Sequence, residues 1–274
     1  MKRLFNPLVA ASIVLLASAC QKLERIEVSP EKVALSEAGQ VSALSVRGLT
    51  ADGEPVEKTE FTFASSDDKV ATVDATGKVT AVKSGAAAIT VTSGEKSAQT
   101  PVEVVIPSAI TVKGAPFTLT GLGSEAVVES EVQDDAGRPV KDSKLEYATA
   151  DANVVAVEGN KLVAKAVGAT RVTVKSGKLE QAFDVTVKLP EVDTVAFETV
   201  PATLKVGESA ALAVVAKGTD GAAIQGVSFT FSSSNEKLAT VDAAGKVTAV
   251  KPGAVTIKAE GSGKATETKL TIKK

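Results

Sequence analysis

From Arg25 onward, apolar residues alternate with Ser, Thr and charged residues in short runs, and Gly, Pro or Asp breaks the pattern every eight to twelve residues. In Ala87-Ala88-Ile89-Thr90-Val91-Thr92 the odd positions are apolar while 90 and 92 carry hydroxyls. Successive side chains on a strand point to opposite faces, so this run buries one face and wets the other. Lys78-Val79-Thr80-Ala81-Val82-Lys83 reads as the strand before it. Asp52-Gly53, Asp220-Gly221 and, with one residue inserted, Asp135-Ala136-Gly137 supply tight turns between such runs. Short strands at this spacing predict antiparallel sandwiches.

The pattern is also repeated. Thirteen residues, Ala71 to Lys83, recur at Ala239 to Lys251 with one change, Thr76 against Ala244. A worn third copy, Ala156-Val157-Glu158-Gly159-Asn160-Lys161-Leu162-Val163-Ala164, lies between them, and Gly85, Gly168 and Gly253 mark one turn at spacings of 83 and 85. A period of this size is a whole domain, long enough to bury its own core. The expected units are therefore 25–107, 108–190 and 191–274, the middle one diverged. Aromatics make up only 3% of the chain, and the 44% hydrophobic fraction is carried by Val, Ala, Leu and Ile, as strands prefer.

The amino terminus follows a different rule. Lys2 and Arg3 precede an apolar run from Leu8 to Ala19, the length of a signal-peptide core and short of the ~20 residues that span a bilayer. It ends in Leu16-Ala17-Ser18-Ala19-Cys20, where Cys20 is the chain's single cysteine. This stretch resembles the lipobox of bacterial lipoproteins, although Ala17 stands where that family favours Leu. The resemblance implies a signal peptide over 1–19, an acylated Cys20 and a short tether over 20–24. Gln21 rather than Asp after the cysteine points, by the sorting rule of such lipoproteins in a Gram-negative host, to the outer membrane. An ordinary cleaved signal with an incidental cysteine is the competing reading.

Phe63-Ala-Ser-Ser-Asp67, Val70-Ala-Thr-Val-Asp74, Gly77-Lys-Val-Thr-Ala81, Gly85 and Ile89-Thr-Val91 are similar to the bacterial Ig-like group 2 domain. Phe231-Ser-Ser-Ser-Asn235, Leu238-Ala-Thr-Val-Asp242, Gly245-Lys-Val-Thr-Ala249 and Gly253 repeat the likeness. Phe63 and Phe231 stand where the family usually has Trp. In the middle unit Tyr147-Ala-Thr-Ala-Asp151 keeps the aromatic and the acid, with Gly159-Asn160 as a shorter turn. The resemblance implies an all-β chain of three tandem Ig-like antiparallel β-sandwiches after an N-terminal signal peptide. It also implies use as a spacer or adhesive module, as in the stalks of intimin and invasin.

Candidate chemistry is sparse. The chain has no His and no Trp, which removes the usual general base and the commonest zinc ligand, and Cys20 precedes every expected strand. No catalytic, cofactor-binding or metal residue is assigned, and no enzyme is expected. Net charge is −2 with a pI near 5.5 and no basic cluster, so nucleic acid is not an expected partner. Asp67, Asp68 and Asp74, Asp134, Asp135 and Asp142, and Glu191 with Asp193 form acidic groups that suit either calcium or solvated turns. Phe61 with Phe63 and Phe229 with Phe231 read as core pairs, and Lys264 to Lys274 as a charged sheet edge. The expected function is a non-enzymatic, lipid-anchored envelope protein acting as a spacer or interaction module. Its partners are the membrane through Cys20 and a protein or polysaccharide; the alternative is a module binding a polysaccharide or small ligand, for which Phe117, Phe183 and Phe197 are the aromatics to inspect. The joints Val105-Ile106-Pro107-Ser108-Ala109 and Lys188-Leu189-Pro190-Glu191 lack Gly-Ser flexibility. They predict a rod on the order of 120 Å, read by small-angle scattering, which a compact particle contradicts.

Overall fold

The computed structural model describes residues 22–274; the signal-peptide run 1–19, Cys20 and Gln21 lie outside the described residues. Every regular helix or strand among the described residues is a strand. One arrangement occurs three times. Its first copy has a four-stranded sheet ordered Val33–Leu35, Lys96–Val104, Gly85–Ser93, Thr62–Ser65, and a three-stranded sheet ordered Val41–Ala43, Lys78–Ala81, Ala71–Val73. Arg25–Ser29 pairs separately with Ser45–Leu49. The second copy places Phe117–Thr120, Leu179–Lys188, Gly168–Ser176 and Glu146–Thr149 in the same order, and the third Thr203–Lys205, Lys264–Lys273, Gly253–Gly261 and Thr230–Ser233.

The alternation read from sequence assigns the faces. In Gly85–Ser93 the residues Ala87, Ile89 and Val91 are buried, and they meet Val79 and Ala81 of the opposing sheet in one core with Val102 and Val104. Leu162, Val172 and Val185 centre the second core, and Val247, Ile257 and Leu270 the third. Each fully buried Ile, Leu or Val contributes about 1.5–3 kcal/mol relative to exposure, so these few branched aliphatic residues replace the aromatics the composition lacks.

Among the described residues two compact units emerge: 22–108 together with the turn Asp134–Arg138, and 109–133 with 139–274. In the first unit, Asp135 Oδ1 accepts the Ser84 N–H at 2.9 Å while the Ser84 hydroxyl accepts the Ile106 N–H at 2.7 Å. Ser84 is thereby one of the few buried polar residues, with its groups paired.

The all-β sandwiches are as expected and their pairings chiefly antiparallel, with one parallel pairing in each: Val33–Leu35 beside Val102–Val104, Phe117–Thr120 beside Val185–Lys188, and Thr203–Lys205 beside Thr271–Lys273. One expectation needs correction. The lysine-rich Lys264–Lys273 is no edge, because it bonds Thr203–Lys205 on one side and Gly253–Gly261 on the other. Its charges occupy the exposed face of an inner strand, with Leu270 and Ile272 directed into the core.

The turn glycines agree with the sequence. Gly77 and Gly245 take φ of 80° and 77°, the left-handed region where an L side chain is strained, and their carbonyls accept the N–H of Leu44 and Leu212. Gly53, Gly137 and Gly221 close the three Asp-Gly turns with φ of 85°, 77° and 76°.

Candidate functional site

Several of the acids are occupied by their own turns. Asp74 Oδ1 accepts the Thr76 hydroxyl at 2.6 Å and the N–H groups of Thr76 and Lys78, and Asp242 Oδ1 accepts those of Ala244 and Lys246. The Thr76 hydroxyl first, then these amides, hold the Asp74 carboxyl below its ordinary range. Asp67 caps the Lys69 N–H, and Asp68, Asp142, Glu191 and Asp193 are exposed. Among the described residues no three acids gather as a metal-holding group.

Asp134 stands apart because it is only 4% exposed. Its carboxylate accepts the N–H of Ala136 and of Arg138 at 2.9 Å each, and the Arg138 guanidinium lies 2.7 Å from Oδ2. Burial alone pushes this carboxyl up, but the Arg138 amide and guanidinium and the Ala136 amide outweigh it, and the net shift is downward. A carboxyl depressed in the folded state contributes stability that is complete above its unfolded pKa of about 3.9 and is lost as pH falls through the folded value. Acid titration of urea unfolding is therefore expected to show stability declining below about pH 4. Asp134→Ala is expected to cost about 1–3 kcal/mol at pH 7 and to flatten that decline. An unchanged acid limb in the variant contradicts the assignment.

The aromatics are placed as core. Phe61 and Phe63 pack on the first cluster, Phe183 is 7% exposed with its ring centroid 5.4 Å from that of Phe117, and Phe197 packs on the third cluster. None of Phe117, Phe183 and Phe197 forms an open binding platform.

The mouth of the second sandwich is built differently from the other two. Backbone bonds fix the correspondence: Leu44 N–H to Gly77 O, Val128 N–H to Asn160 O and Leu212 N–H to Gly245 O, at 2.9, 2.8 and 3.0 Å. The strand pairings likewise align Tyr147 with Phe63 and Phe231, and Leu145 with Phe61 and Phe229. The bridges Leu49 to Pro55 and Gln133 to Pro139 align Ser130 with Val46. In the first sandwich Val46 and Phe61 pack on the core. The second carries Ser130 and Leu145 there, beside a cavity of about 390 Å³ also lined by Tyr147, Asn160, Glu129 and Glu131; the first has one of about 250 Å³ lined by Glu27, Ser29, Ser45 and Arg47. The Ser130 hydroxyl is buried there with no hydrogen-bond partner. Sequence reading passed over Ser130 and Leu145; aligning the middle unit on Tyr147-Ala-Thr-Ala-Asp151 was the signal available.

Comparison with known proteins places the outer sandwiches. The model of the bacterial Ig-like domain (group 2) matches residues 23–104 and 191–270. Lacto-N-biosidase of Bifidobacterium bifidum is 46% identical over 79 residues, 28% of this chain and 7% of that enzyme. Ice-binding protein 1 of Shewanella frigidimarina is 26% identical over 247 residues, 85% of this chain and 27% of that protein. The chain thus spans a small part of these curated relatives. Among solved structures, the Escherichia coli adhesin FdeC aligns over 91% of this chain and 96% of its own at a TM-score of 0.42 and 14% identity. The two matched regions cover more than half of the sequence, and the chain belongs to the bacterial Ig-like domain (group 2) family.

Proposed function

We propose that the mature protein is a non-enzymatic lipoprotein of the cell envelope, held by acylated Cys20, whose Ig-like sandwiches serve as a spacer and interaction module. The observation that carries the reading is Cys20 itself: a single thiol placed directly after the small residues that end a short apolar run. The first strand begins at Arg25, so the anchor and the fold are separated by only a few residues and neither depends on the other. Three acyl chains, each CH₂ contributing about 0.8 kcal/mol when buried, make such attachment effectively permanent. Asp67, Asp74, Asp134 and Asp242 serve turns, which favours a module that presents surface over one that performs chemistry. Gln21 supports the outer membrane as the destination.

Mass spectrometry of the amino-terminal peptide tests the anchor, with an acylated Cys20 as the new terminus expected. Cys20→Ser is expected to move the protein into the soluble fraction with its thermal unfolding unchanged. An intact peptide with a free thiol, or retention of the variant in membranes, overturns the proposal.

A further inference from the structure

We propose that the amino-terminal end of the first sandwich is a membrane-contact surface, held against a layer of zwitterionic lipid headgroups by a tether that packs on the fold. The inference rests on the acylated Cys20 proposed above and names the surface that the anchor brings to the bilayer.

The tether joins the sandwich before the first strand begins. The Glu24 N–H donates to Leu49 O at 2.9 Å, and the Glu24 carboxylate lies 2.8 Å from Lys22 Nζ and 3.0 Å from Lys96 Nζ in the hairpin Ser93–Lys96. Leu23 fills the space over Gly48, where an added Cβ would lie 2.7 Å from Leu23 Cδ1 and 2.9 Å from Thr59 Oγ1. A chain advances at most about 3.6 Å per residue, so Cys20 stands within about 11 Å of Leu23. The headgroup layer is about 5–8 Å thick on each face of a bilayer, and diacylglycerol on the Cys20 sulfur sets that residue at its base. The surface around Leu23 is therefore kept against the headgroups.

That surface is polar, and the third sandwich shows that this is a choice. Gly226 follows Ile224 by two residues as Lys58 follows Val56, with Ala216 and Gly48 as the matching partners, and both take a positive φ, 83° and 57°. At Gly226 the second sandwich approaches closely: a Cβ there would lie 2.7 Å from Leu122 and 3.6 Å from Leu189. The first sandwich carries an exposed lysine at this position, between exposed Glu57 and Glu60, with exposed Glu95 on the hairpin. Leu23, Lys58, Glu60 and Ser93 line one open concavity. Together with Lys22 and Lys96 the end presents charges of both signs, which matches phosphate and ammonium groups displayed side by side.

Cys20 is the chain's single cysteine, so residues 20–274 couple through it to a maleimide lipid in phosphatidylcholine vesicles. Lysine acetylation, read by mass spectrometry, is compared with the same protein, its thiol blocked, beside the same vesicles. Lys22, Lys58 and Lys96 are expected to react several-fold more slowly when coupled. Lys69 and Lys83, about 30 Å away at the other end of the nine-residue strand Gly85–Ser93, are expected to keep their rates. A Gly-Ser segment of about twelve residues inserted after Gln21, about 20 Å long as a coil, is expected to restore the rates and leave thermal unfolding unchanged. The proposal is overturned if lysines at both ends slow alike, if none slows, or if the inserted segment leaves the protection in place. Protection of the same lysines in uncoupled protein as its concentration rises marks a second copy as the occupant and overturns it as well. Coupling bypasses the cell's own acylation, so this result and the mass spectrum of the amino-terminal peptide fail independently.

Discussion

Gly245→Val is expected to destabilise the third sandwich by about 2–5 kcal/mol. Two costs combine. The φ of 77° forces an L side chain into the left-handed region, about 1–2 kcal/mol and more for a β-branched residue. The new Cβ also lies 2.8 Å from Phe231 Cζ and 3.2 Å from Leu212 O, so the ring must move against a packed core, which adds about 1–3 kcal/mol. For a domain of this size the melting temperature falls by on the order of 10–30 °C. Gly221→Ala separates the two causes: its φ of 76° is nearly the same, but no atom lies within 4 Å of the added Cβ. That variant is expected to cost about 1–2 kcal/mol. Equal losses by calorimetry in the two variants would show that the Phe231 contact contributes nothing.

Ile89→Ala is the second large effect, expected to cost about 2–5 kcal/mol. Ile89 is fully buried among Val79, Val91 and Val102, and truncation leaves a cavity that the sheet hydrogen bonds keep from closing. The first core draws on residues between Ile26 and Ile106 and shares none with the second or third. Calorimetry is therefore expected to show one transition moving down while the remaining heat absorption stays in place. A uniform shift of the whole profile contradicts independent cores.

The alternation in Ala87 to Thr92 and the Asp-Gly turns were legible because each depends on local chemistry: face and turn type. Strand direction was not. Val33–Leu35 shows which residues face inward whether its neighbour runs parallel or antiparallel, and only the pairing with Val102–Val104 decides. Lys264–Lys273 misled for a related reason, since exposed lysines report the solvent side of a strand and not whether its two lateral edges are bonded. The cavity lay further from view. Ser130 and Leu145 are unremarkable in sequence and become informative once backbone bonds align Asn160 with Gly77, with Gly159 taking the positive φ of 63° in the shortened turn.

The parallel pairing of each sandwich's early strand with its last strand sets how such a sandwich resists a pull on its two ends. When a tethered chain is pulled from both ends of such a sandwich, Val33–Leu35 and Lys96–Val104 are drawn past one another lengthwise. Their hydrogen bonds are then strained together in shear, whereas a hairpin pulled from its open end parts one bond at a time. The second sandwich joins four residue pairs in this way and the first and third join three. Under tension, the sandwich that differs most in sequence therefore has the longest clamp.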